Sequence, residues 1–261
     1  MVKIKDYLNS KIIDIQPLLA LVLQKNSANL IINDGYRLTT KEKIKLDSLI
    51  EKRNKGVPFA YLSGYKGFYN SDFKVTCDTL IPRPETEILI DIALDLYDEN
   101  QVISVLDLGT GSGIIAITLA NQRLNWKITA IDICNKALLV AKQNAKRTKI
   151  NFIKNDWLNN INKKFDLIIS NPPYIKINSK YLKELKYEPT KALVAGKEGL
   201  DDINKIINNA PNNLNKNGYL LLEHGYDQQA KISKLLQTNF NIIKKFKDYN
   251  TKNRAILAQL K

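Results

Sequence analysis

Two hydrophobic rhythms divide this chain. In the first part apolar residues recur at helical spacing, as where Leu46, Leu49 and Ile50 fall on one helical face. Thr39 to Glu42 has the capping-box form, in which a hydroxyl and a carboxylate three residues apart each accept a backbone N–H at a helix start, and Gly56-Val57-Pro58 stops the segment. Short helices are predicted over residues 1 to about 60. "YKGFYNSDFKV" (65–75) reads as two short strands around the turn formers Asn70, Ser71 and Asp72, a β-hairpin joining two domains. The expected organisation is a helical domain with its hairpin linker over 1–74 and a second domain over 75–261.

From residue 85 the rhythm alternates. "ETEILIDIALDLY" (85–97) is an amphipathic helix with Pro84 at its start and Glu85 and Glu87 in the first turn, where carboxylates suit the helix dipole. Strand candidates follow at "VISVLDLG", "KITAID", "INFIKND", "FDLIIS" and "GYLLLEHG", separated by helical patterns such as "IIAITLANQR" and "NKALLVAKQNAKR". Strands alternating with helices imply crossover units and a mainly parallel sheet covered on both faces. The tail "NIIKKFKDYNTKNRAILAQL" supplies two final strands around a polar turn, for an α/β sheet of about seven strands.

Composition narrows the class without naming a function. At 261 residues the chain can bury a substantial core. Its longest apolar runs fall far short of a membrane span, which needs about 20 residues, and MVKIKDYLNS lacks the apolar stretch of a signal peptide. A cytoplasmic protein without membrane association is expected. Cys77 and Cys134 form no CxxC pair and neither lies near a His, so neither a disulfide framework nor a metal site is expected. The formal net charge of +14 suits an anionic or RNA-associated partner, yet no basic run exceeds two residues, and biased base composition in the coding DNA accounts for the excess lysine equally well.

Candidate chemistry sits at the ends of the strands. "LDLGTGSG" (106–113) puts glycines at 109, 111 and 113 in a strand-to-helix turn, where bare backbone can approach a ligand. The dinucleotide fingerprint would need glycine at 114, where the chain has Ile114, so a nucleotide-type site without pyrophosphate recognition is expected. Asp132, ending the second strand about twenty residues on, suits both hydroxyls of an adenosine ribose; it also suits a helix N-terminus. Asp156 can accept from an exocyclic amine and Trp157 can pack on a purine face, or simply fill the core. The fourth strand runs into Asn171-Pro172-Pro173-Tyr174. The Asn171 side-chain carbonyl and the Pro172 backbone carbonyl are two acceptors on a stretch stiffened by two prolines, able to grip both hydrogens of a planar NH2 group, with Tyr174 as an aromatic wall.

Together "GTGSG", Asp132 and "NPPY" resemble class I S-adenosylmethionine-dependent N-methyltransferases. Within these, "TLIPRPETE" (79–87), "NDWL" (155–158), "YEPTKALVAGKEGL" (187–200) and "LLLEHG" (220–225) are similar to the HemK/PrmC family of release-factor glutamine N5-methyltransferases. The resemblance runs from about residue 56 to the C-terminus. It implies a Rossmann-like fold, S-adenosyl-L-methionine as cofactor, and methylation of the glutamine amide in the Gly-Gly-Gln loop of class 1 peptide-chain release factors. It implies that Gly109, Thr110, Gly111, Ser112 and Gly113 border the methionine part of the cofactor, that Asp132 meets the ribose, and that Asp156 and Trp157 lie near the adenine. It puts Asn171 to Tyr174 on the substrate amide, with Asn171 next to the cofactor as well, and lets Arg83 and Thr86 close over the pocket; a helix-entry role explains "RPETE" equally. A monomer acting without direct nucleic-acid contact is expected.

An amide nitrogen is a poor nucleophile, and no strong base is in view: the single histidine, His224, reads equally as a packing or loop-ordering residue. Positioning by Asn171 and Pro172 is therefore expected to carry catalysis, since orienting two reactants can lower a barrier by roughly 7 to 11 kcal/mol. The alternative is a nucleic-acid methyltransferase acting on adenine N6 or guanine N2, because the same two acceptors fit any planar NH2 group. It lacks a basic recognition insert after "NPPY".

Overall fold

The computed structural model describes residues 3–146 and 148–261. Met1 and Val2 of the expected helical unit, and Arg147 at the end of the pattern "NKALLVAKQNAKR", lie outside the described residues. Two units separate, Met1–Tyr65 and Lys66–Lys261. The first holds α1 (Ile4–Leu8), α2 (Ile15–Leu23), α3 (Ser27–Ile32), α4 (Thr40–Asn54) and α5 (Phe59–Ser63). The capping box forms as its residues require: the Thr39 N–H donates to Glu42 Oε2 at 2.7 Å and the Glu42 N–H to Thr39 Oγ1 at 3.3 Å. Leu46 of α4 is fully buried with Leu18, Leu19 and Leu30, and Leu49 and Ile50 pack against that cluster.

A hairpin of β1 (Tyr65–Phe68) and β2 (Ser71–Lys74) follows; its turn falls on Tyr69 and Asn70, with Tyr69 at φ 52°, while Ser71 and Asp72, expected in the turn, already belong to β2. Its Phe68 and Phe73 are buried in the larger unit's core. The segment expected to open a helix at Glu85 first makes a 3₁₀ turn, Pro84–Thr86, and only then enters α6 (Glu87–Asp95). Glu87 is engaged as well as placed in a first turn: it accepts the Tyr69 N–H at 2.7 Å and so ties the hairpin to α6.

The remaining elements are β3 (Ser104–Leu108), α7 (Ile114–Gln122), β4 (Lys127–Asp132), α8 (Asn135–Asn144), β5 (Ile150–Lys154), β6 (Phe165–Ser170), α9 (Asp201–Asn213), β7 (Leu214–Glu223), α10 (Gln229–Leu236), β8 (Phe240–Lys247) and β9 (Asn253–Leu260). Seven strands form one sheet in the order β5-β4-β3-β6-β7-β9-β8, parallel except where β9 runs antiparallel to β7 and β8. Alternate residues serve opposite faces: Val105 and Leu221 join α6 and α7 in one core, whereas Leu106, Leu220 and Leu222 join α9 and α10 in the other. Both faces are thus covered, which is why the strands read as continuous apolar runs. The chain builds β3, β4 and β5 outward in one direction, then returns to lay β6 against the other side of β3. Such a reversal opens a crevice at the carboxyl ends of the strands.

Candidate active site

The loop after β3 is shaped by its glycines, each for its own reason. Gly109, Gly111 and Gly113 all have left-handed backbone, with φ of 72°, 57° and 87°. A Cβ on Gly109 would stand 3.3 Å from the Trp157 ring, so bare backbone is needed there for the indole to lie alongside. A Cβ on Gly113 would come within 2.7 Å of Ile117 Cδ1 and 3.2 Å of Ala141 Cβ, which makes this glycine a contact between α7 and α8. The loop is pinned from beneath by Asp107. This wholly buried carboxylate accepts Thr110 Oγ1–H at 2.6 Å and the Ala116 N–H at 3.2 Å on Oδ2, and its Oδ1 has no partner among the described residues. Burial pushes its pKa up to about 7.

Asp132, at the end of β4, accepts the Gly111 N–H at 2.9 Å and the Cys134 N–H at 2.8 Å, one on each oxygen. Burial raises its pKa, and these backbone N–H groups pull it back. A carboxylate has about four acceptor positions, so Asp132 retains acceptor capacity for a hydroxyl ligand. Past β5, Trp157 takes a left-handed backbone at φ 50° and donates its indole N–H to Asp202 Oδ1 at 3.1 Å. Asn155 Nδ2 holds that turn by donating to the carbonyls of Trp157 and Asn159.

A cavity of about 480 Å³ opens among these strand ends, and Gly109, Gly111, Asp132, Asp156, Trp157 and Asn171 all line it. Thr110, Ser112 and Gly113 are not on its wall: Thr110 bonds Asp107, the Ser112 carbonyl accepts Asn144 Nδ2–H at 2.8 Å, and Gly113 packs between helices. A second cavity of about 440 Å³ is lined by Pro172, Tyr174, Arg83 and Arg254 among others. The two share Leu80, Asn171 and Ala192, while Pro173 faces the first. Asn171 therefore stands where the cavities meet.

Around it lies a network that pattern reading does not reveal. Asn171 Nδ2 donates to Thr86 Oγ1 at 2.9 Å, Thr86 Oγ1–H donates to Glu223 Oε2 at 2.8 Å, and Tyr174 O–H donates to Glu223 Oε1 at 3.2 Å. Glu223 ends β7 fully buried, and burial pushes its pKa up to about 7 against the opposing pull of the Thr86 bond and the Arg254 charge. Neither Asn171 Oδ1 nor the Pro172 carbonyl accepts a hydrogen bond among the described residues. Glu188 is the second omission. It is buried, accepts the Ile81 N–H at 3.0 Å and pairs with Arg83 at 2.5 Å, joining segment 79–87 to segment 187–200. The latter segment also pairs with the chain beyond Tyr174, through the Ile175 N–H to the Leu193 carbonyl at 2.8 Å, while Gln228 Nε2 donates to the carbonyls of Tyr174 and Gly199 at 3.0 Å each. His224 is fully buried with Nδ1 2.8 Å from the Gly225 carbonyl, its pKa lowered by burial, and it lines neither cavity.

Residues 5–64 match the family model described as the PrmC N-terminal domain, and residues 99–259 the one described as a methyltransferase domain. A release factor glutamine methyltransferase from Coxiella burnetii is 40% identical over 231 residues, spanning 87% of this chain and 83% of that protein. One from Haemophilus influenzae is 38% identical over 96% of this chain and 91% of its own length. Among solved structures, a methyltransferase from Pyrococcus furiosus superposes with a TM-score of 0.56 at 18% identity, over 80% of this chain and 98% of that one. The 16S rRNA N2 G1207 methyltransferase RsmC of T. thermophilus, in complex with AdoMet and guanosine, gives 0.53 at 17% identity, over 76% and 50%. At these identities the structural likeness speaks for the fold. Sequence identity that runs through both units speaks for more: the chain belongs to the release factor glutamine methyltransferase family.

Proposed function

We propose that this chain transfers a methyl group from S-adenosyl-L-methionine to the side-chain amide nitrogen, N5, of the glutamine in the Gly-Gly-Gln motif of class 1 peptide-chain release factors. The observation that carries the reading is the place of Asn171 in the wall shared by two cavities, one suited to a nucleoside and one able to admit an acceptor. Relatives named release factor glutamine methyltransferase, similar across most of the chain, favour a protein amide over the adenine or guanine alternative.

The first cavity fits the cofactor. Gly109 leaves a cradle that a side chain would crowd, Asp132 keeps acceptor capacity for a ribose hydroxyl, and Trp157 offers an aromatic face beside Asp156. S-adenosylmethionine, when bound, supplies an electrophilic methyl group on a sulfonium. The chain's own part is orientation. In the second cavity Asn171 Oδ1 and the Pro172 carbonyl accept the two N–H groups of the glutamine amide and turn its nitrogen toward the first cavity. Pro172 and Pro173 hold those acceptors on backbone of fixed φ, and Tyr174 walls the planar group. The same acceptors stabilise positive charge as it develops on nitrogen, as preorganised dipoles do in an oxyanion hole of opposite sign.

In this reading residues 1–74 recognise the release factor and residues 75–261 carry out the transfer. The enzyme works as a monomer in the cytoplasm, where its substrate acts, and needs no nucleic acid. Among the described residues no helix is long and apolar enough to cross a membrane. Labelled S-adenosylmethionine incubated with the protein and cell extract provides the test. Label that survives nuclease and is lost to protease is expected; the reverse would transfer the function to a nucleic acid.

A further inference from the structure

The segment "RPETE" has no chemistry assigned by the reading above, yet its Thr86 is fully buried against the catalytic motif. Glu223 has each carboxylate oxygen engaged by a hydroxyl, Oε2 by Thr86 and Oε1 by Tyr174. A threonine hydroxyl has one proton. With that proton given to Glu223, Thr86 has only lone pairs to offer Asn171. The Asn171 amide must then present Nδ2, as it does at 2.9 Å, because its oxygen would meet a lone pair in the same place. Oδ1 is left facing away from Thr86 with no partner among the described residues. The same carboxyl group holds Tyr174, three residues on, so both ends of the motif hang from one buried side chain. Thr86 is itself fixed from the other side, since the Ile81 N–H and Arg83 are bound to buried Glu188.

We propose that Thr86 and Glu223 form a directional hydrogen-bond chain that determines which end of the Asn171 amide is shown to the substrate, and that both are positioning residues for methyl transfer. This rests on the reading in which Asn171 Oδ1 accepts from the glutamine amide. The chain acts by polarity: carboxylate, hydroxyl and amide each have one orientation consistent with the next, and reversing the whole sequence of donors leaves an oxygen in the same position.

Reversal is the test. In Asn171→Asp alone, assayed well above pH 7 where both carboxyls are ionised, carboxylates at 171 and 223 flank one hydroxyl with one proton, so one of them goes unpaired. Adding Glu223→Gln supplies an NH2 group that donates to Thr86, and frees the hydroxyl proton for the carboxylate at 171, which then shows its second oxygen to the substrate. N171D/E223Q is expected to turn over at least about tenfold faster than N171D, the scale of one buried hydrogen bond. In parallel, Thr86→Val should lower kcat by about 10- to 100-fold with the melting shift produced by S-adenosylhomocysteine retained, and Thr86→Ser should restore most of it. A double variant no faster than N171D, or a folded T86V enzyme with wild-type kcat, overturns the proposal. Asn171→Ala with wild-type kcat would instead remove the reading beneath it, so the two failures are distinct.

Discussion

Asp132, at the end of β4, and Asn171, just past β6, stand on either side of β3 and divide the work of the site between binding and chemistry. Asn171 lines both cavities and has an acceptor with no partner among the described residues, so Asn171→Ala should lower the methyl-transfer rate by about 10² to 10³, the usual loss for one preorganised polar partner, with cofactor affinity largely kept. Asp132→Ala should show the opposite split, weak cofactor binding on an intact fold, as isothermal titration with S-adenosylhomocysteine can measure. Asp107 makes a different claim. Its carboxyl is ordinary when unfolded, near 3.8, and raised to about 7 when folded, so the folded state holds a proton that the unfolded state has lost. Stability from this group is full below about pH 4, falls as pH rises toward about 7, and is gone above that. Asp107→Asn removes the dependence: its urea midpoint should gain on the wild type as pH rises from about 4 to about 7, and a constant difference would refute the assignment. Residues such as Asn171, Asp132 and Trp157 were legible in the sequence because strand ends of a parallel sheet can be located from pattern alone. Thr86 was reached only through the family resemblance and without its partners, and Glu223 not at all, because these partners lie 85 and 137 residues apart in the chain and no local spacing encodes such a meeting.

Two glycines of one loop test how elements, rather than single side chains, build the site. Gly113→Ala forces a Cβ into Ile117 and Ala141 on left-handed backbone. The expected cost is about 1 to 2 kcal/mol for the backbone and a further ~1 to 3 for overpacking between α7 and α8. Gly111→Ala meets nothing nearer than the Gly109 carbonyl at 4.0 Å, so only the backbone term applies, but its position on the cavity wall should weaken cofactor binding. Chemical denaturation and cofactor titration of both variants check the contrast; equal stabilities would deny that Gly113 is a packing glycine. Element types were largely legible, since apolar alternation, capping residues and glycine turns act locally. Boundaries were less so. Helix α9 is absent from the elements read off the pattern although Ile203, Ile206, Ile207 and Ala210 make a clean buried face, because Pro211 lies inside it and reads as a break. Likewise β7 begins at Leu214, before Gly218, through an irregular pairing with β6 that only the finished sheet supports.

At the scale of the whole molecule the division of labour between the units becomes measurable. A glutamine amide preceded by two glycines is a small group on a flexible stem, and a cavity of about 440 Å³ can admit it. Such a tip carries little binding energy of its own, and ordering a free peptide around it costs conformational entropy. A folded release factor can make contacts away from that tip, and the proposed recognition role falls to residues 5–64, which match the PrmC N-terminal domain model. That unit has its own core around Leu18, Leu19, Leu30 and Leu46, separate from the two cores of the sheet. Intact release factor should therefore be methylated with a far higher kcat/KM than a short Gly-Gly-Gln peptide. A chain beginning at Lys66, shown by circular dichroism and cofactor binding to be folded, should lose most of that advantage while treating the peptide much as the full chain does. Mass spectrometry of the factor after reaction should find one added methyl, on the glutamine of that loop. Equal efficiency on factor and peptide would make the helical unit dispensable for recognition, and a methyl on any other residue would move the acceptor away from Asn171.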